Sequence, residues 1–123
     1  MIALIVEYVL GMYTALFSAA PDDPQYLTEP VINKIIFGLH GLVGLFLLIG
    51  ATVMLIMGLK SNNPTKHMAI HGFLSIFLAF GAGIATVMLK ETASEIASFI
   101  MSVGFLLSFI IYGKLFFLLK KEK

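Results

Sequence analysis

Five side chains able to hold a proton or a metal lie in or beside the apolar stretches of this sequence: Glu7, His40, His67, His71 and Lys114. An ionisable group at membrane depth costs about 2.5–3.5 kcal/mol on insertion scales, so each calls for an explanation. His67 and His71 stand i, i+4, one turn apart on one helical face, the spacing two imidazoles need to share a metal. Glu7 would add an oxygen ligand, giving a metal set of His67, His71 and Glu7 suited to zinc, copper or iron. The plainer alternative leaves His67 at the interface and has His71 bond a neighbouring carbonyl.

Two other chemistries use the same residues. A b-type haem would take His40 or His71 as its axial ligand. His40 lies about 28 Å along its helix from the inner end at 1.5 Å per residue, and His71 only about a turn from the inner end of the next helix. The two therefore cannot flank one haem within the chain, and a haem would need a ligand from a partner chain. Proton coupling would centre on Glu7, with Lys114 as the second candidate, because a carboxylate in the first helix can carry a titrating proton through the membrane. In outline, four helices with one carboxylate in the first resemble the small multidrug resistance exporters. That resemblance implies the coupling role for Glu7, while the membrane-embedded tryptophan of those proteins is missing here.

The segments that position these residues are repetitive. His40-Gly41, Phe46-Leu47 and Gly50-Ala51 recur as His71-Gly72, Phe77-Leu78 and Gly81-Ala82, each pair offset by 31 residues. The match suggests a duplicated helix of the kind found in transporter repeats. Between the copies, Ser61-Asn62-Asn63-Pro64-Thr65-Lys66 is too short to cross a bilayer, so the two helices must run antiparallel.

Composition sets the class. The chain of 123 residues is 59% hydrophobic, above the roughly half of a soluble protein, and its mean hydropathy is +1.00. Apolar runs of about 20 residues, enough to cross ~30 Å of hydrocarbon, occur four times. Backbone groups in lipid must be paired within their own segment, which predicts an all-α bundle of four transmembrane helices, over about 2–20, 35–59, 67–89 and 96–119. Residues 21–34, with Pro21, Pro24, Pro30, Asp22, Asp23 and Glu29, form an acidic proline-rich loop. A leader peptide ending at Ser18-Ala19-Ala20 is the rival reading of the first run, opposed by Glu7 and by the lack of a basic start.

Lysine is the only basic residue apart from histidine. With four spans, Lys60, Lys66, Lys114, Lys120, Lys121 and Lys123 share one side, against Lys34 and Lys90 on the other, which places both termini in the cytoplasm. A net charge of +1 gives no patch for nucleic acid. Small residues at helical spacing, Gly11 and Ala15, Gly38, Gly41 and Gly44, Ser75, Ala79 and Gly83, and Ser94, Ser98 and Ser102, are expected to bring helices into close contact.

The leading expectation is a small integral membrane subunit of the cell membrane with an accessory role in a larger complex of other membrane subunits, a respiratory or redox oxidoreductase being the class that the histidines suggest. The first alternative is an electron-transfer subunit holding a haem or metal shared with a partner, and the second is a small proton-coupled transporter using Glu7. No nucleophile–base pair or nucleotide-binding loop points to an enzyme acting alone.

Overall fold

The computed structural model describes residues 1–17, 24–89 and 91–121, and its regular elements are all helical. They are α1 (Ile2–Phe17), a single 3-10 turn (Pro24–Leu27), α2 (Val31–Leu59), α3 (Asn63–Met88) and α4 (Glu91–Lys121). The all-α class is as the composition requires. The Ser18–Ala20 cleavage motif, Pro21, Asp22, Asp23, Lys90 and positions 122–123 lie outside the described residues.

Three helices, α2, α3 and the Ser94–Phe117 part of α4, are long and apolar enough to cross a membrane. Described over 16 residues, α1 is apolar but shorter, about 24 Å at 1.5 Å per residue against about 43 Å for the 29 residues of α2. Each of the later helices also starts earlier than the prolines and polar residues predict. α2 begins directly after Pro30. α3 begins at Asn63 with Pro64 in its first turn, where the missing N–H would have had no helical partner anyway. α4 begins at Glu91 and so absorbs the expected turn, with Ser94 Oγ donating to the Thr86 carbonyl at 2.9 Å to lock it to the end of α3.

The tightest seam joins α3 to α4. α3 buries Ala69, Gly72, Ser75, Ile76, Ala79 and Ala82. From α4, Gly104 fits so closely that a Cβ there would lie 3.0 Å from the Ser75 carbonyl and 3.1 Å from the Ala79 backbone nitrogen. This is backbone against backbone, the contact by which helices associate where lipid supplies no hydrophobic drive. Ser75 and Ala79 thus stand where their spacing put them, and Gly83 meets Met101 Sδ. On α4 the expectation shifts: the buried positions are Ala97, Gly104, Ser108 and Leu115, whereas Ser102 is exposed. A serine in a helix satisfies its own hydroxyl on the i−4 carbonyl, as Ser102 does on Ser98 and buried Ser108 does on Gly104, so serine spacing does not select a face.

Leu4 of α1, Ala51 of α2 and Ile76 of α3 meet in a small core flanked by Leu47, Leu48, Phe73, Phe105 and Tyr112.

Candidate functional site

Asn33, near the start of α2, ties down the far end of α1. Tyr13 Oη donates to Asn33 Oδ1 at 3.0 Å, and Asn33 Nδ2 donates to the Phe17 carbonyl at 2.7 Å. Measured from this anchor at 1.5 Å per residue, Glu7 lies about 15 Å back along α1 and His40 about 10 Å along α2, so the two antiparallel helices bring them to nearly one level. Glu7 Oε1 and His40 Nδ1 are 2.9 Å apart, with the carboxylate side chain 8% exposed and the imidazole 22%. The approach is an ion-pair contact off the axis of a good hydrogen bond, and Glu7 Oε2 is buried with no hydrogen-bond partner.

Two glycines make room for the pair. A Cβ at Gly44 would stand 3.0 Å from Glu7 Oε1, and one at Gly11 would stand 3.2 Å from His40 Cε1 and 3.7 Å from Nε2. The carboxylate therefore rests on the backbone of α2, and the imidazole edge on the backbone of α1. Phe80 of α3 closes the niche beside Gly44. Thr14, also on the buried face of α1, returns its hydroxyl to the Gly11 carbonyl at 2.9 Å.

This geometry corrects the grouping expected from the helix ends. Glu7, His67, His71 and Lys114 do not converge. Glu7 instead meets His40, the histidine expected to stand apart, on the part of α1 that Asn33 pins to α2. His71 Nδ1 lies 2.7 Å from the His67 carbonyl; since a carbonyl only accepts, that nitrogen holds the proton. His67, His71 and Lys114 are exposed. The metal set of His67, His71 and Glu7 is not assembled, and among the described residues no three His, Asp or Glu side chains gather for a metal. The two haem candidates are likewise apart: His40 is wedged between Glu7 and Gly11, and His71 turns toward its own helix.

The repeated His-Gly pairs have diverged in use. Gly41 faces open space, whereas Gly72 packs under the Tyr112 ring, where a Cβ would lie 2.8 Å from Cζ. Below Glu7 an apolar cleft of about 420 Å³ opens between the start of α1, α2 and α4, lined by Leu4, Phe46, Met54, Ile76, Tyr112 and Phe116 among others. Leu4 is one turn from Glu7, so cleft and carboxylate are neighbours along the same face of α1. The pairing of Glu7 with His40 leaves no signature in hydropathy or spacing, although both residues stand out as ionisable groups in apolar runs.

Searches against protein-family models, characterised proteins and solved structures return no match to this chain, so the site's geometry alone carries the functional argument.

Proposed function

We propose that this chain is a small multi-pass protein of the cell membrane that couples proton movement to passage of a small apolar solute, with Glu7 and His40 as the proton-binding pair. The supporting observation is the 2.9 Å contact of a buried carboxylate with an imidazole on adjacent apolar helices. Ionisable groups are expensive at membrane depth, and substrate pathways and proton relays are among the uses that repay them. The pair offers two groups able to take up a proton, a carboxylate and an imidazole. The neighbouring cleft has a volume typical of small-molecule sites, which run from about 300 to 1,000 Å³. The lysine-rich ends, by the charge bias of their flanks, face the cytoplasm.

The test is acid-driven flux in vesicles loaded with a pH-sensitive dye, using a panel of small uncharged lipophilic compounds as the solute. Wild type is expected to move protons and at least one probe together. Glu7→Gln, which keeps the shape and removes the titrating group, is expected to lower both rates by an order of magnitude or more. Flux that survives Glu7→Gln unchanged overturns the proposal.

A second reading, an accessory subunit of a larger membrane complex, draws on the outer face of α2. Only Ala51 and Gly58 of its 29 residues are buried, and Gly38, Gly41 and Gly50 face open space among exposed Leu39, Leu42, Phe46 and Ile49. Open glycines beside bulky apolar side chains suit a partner helix. Under that reading Gly41→Leu loses a co-purifying chain, whereas a carrier acting alone keeps its flux.

A further inference from the structure

The Glu7–His40 pair fixes more than a proton. Among the described residues, it is one of two polar attachments that hold α1 on the rest of the bundle, the other being Asn33 with Tyr13 and the Phe17 carbonyl. Toward α4, α1 is held by side chains: Tyr8 stacks on Phe105 with ring centroids 6.2 Å apart, and a Cβ on Gly113 would lie 4.0 Å from Met1 Cε. This contrasts with the α3–α4 seam, where backbones touch at Gly104. The apolar cleft opens along the looser side, between the start of α1, α2 and α4.

Resting on the proton-coupling reading above, we infer that the Glu7–His40 contact is a latch closed while the pair holds one proton, and that gain or loss of that proton releases the Glu7 end of α1 from α2 and widens the cleft. With one proton between them, the pair is neutral overall, as carboxylate and imidazolium or as carboxylic acid and imidazole. A second proton leaves a buried imidazolium beside a neutral acid. Removal of the proton leaves a buried carboxylate, with Oε2 already lacking a partner, beside a neutral ring. Either change strands an uncompensated charge on an apolar face, and water must reach it. Among the described residues, the contacts around the pair are apolar: α3 presents Phe80, Gly11 and Gly44 line the niche, and Phe105 of α4 lies against neighbouring Tyr8. Lys114, the nearest candidate cation on α4 by sequence, is exposed. The attachment at Asn33 carries no titratable carboxylate or imidazole and persists, so α1 pivots about its Phe17 end.

The chain has no cysteine, so spin labels can be placed freely. Labels at Met12→Cys and Leu106→Cys, both exposed positions on α1 and α4, report the distance across the loose side without touching the Tyr8–Phe105 contact. In nanodiscs between about pH 4 and about pH 9, which brackets the ordinary carboxylate and imidazole range, the short-distance population is expected to peak in the middle and fall at both ends. Glu7→Gln is expected to abolish the alkaline limb, and His40→Gln the acid limb. A second pair, Val53→Cys on α2 with Leu74→Cys on α3, both exposed positions, controls for unfolding and is expected to stay constant. A Met12–Leu106 distance independent of pH, or a pH profile unchanged in Glu7→Gln, overturns the latch. If flux still depends on Glu7 while the distance stays flat, the latch alone falls and proton coupling stands.

Discussion

At the scale of single residues, the interaction that most needs explaining is the one between Glu7 and His40. Each was legible in the sequence as an ionisable group in an apolar run, but their pairing was not. It depends on the Asn33 anchor, which a hydropathy pattern does not reveal. The pairing makes a definite energetic claim. Removing one partner of a buried ion pair typically destabilises by about 3–5 kcal/mol, because the survivor is left unpaired, while removing both can be nearly neutral. Glu7→Gln and His40→Ala should therefore each lower stability by a few kcal/mol, with the double variant well short of their sum. Unfolding of the reconstituted protein through a double-mutant cycle measures this. Strict additivity would show that the two side chains do not interact.

At the scale of elements, the seams are written in small residues, and the sequence showed them in part. Ser75 and Ala79 were expected at a contact and lie in one, facing Gly104. Serines 94, 98 and 102 were expected to form the matching stripe, and Ser102 does not, since hydroxyls that bond their own helix leave no trace of which side they face. Glycine spacing has the same ambiguity: Gly104 and Gly50 look alike in sequence, yet one is pressed against backbone and the other is open. Gly104→Ala forces its Cβ toward the Ser75 carbonyl and Ala79 nitrogen, neither of which can yield as a flexible side chain would, and is expected to destabilise by about 1–3 kcal/mol. Gly50→Ala meets nothing within 4 Å and is expected to be neutral or slightly stabilising through helix propensity. Equal effects from the two substitutions, read by thermal unfolding in detergent, would contradict the seam assignment.

At the scale of the whole molecule, class and helix order followed from composition and run length, because lipid leaves a backbone few choices. The helix ends and the first helix's reach did not, since proline in a first turn and polar residues at an interface are compatible with helix and read as loop. The consequence is a bundle in which three long helices carry the fold and the shorter α1 brings one buried carboxylate to one imidazole. The account stands or falls on whether that carboxylate exchanges a proton within the folded protein. Infrared difference spectra of the chain in lipid, recorded as pH is stepped through the carboxylate and imidazole range, observe the exchange directly. The account predicts that subtracting the Glu7→Gln spectra from those of the wild type leaves one carboxyl carbonyl component that rises and falls with pH and that moves in His40→Gln. A subtraction that leaves no pH-dependent carboxyl component would contradict it.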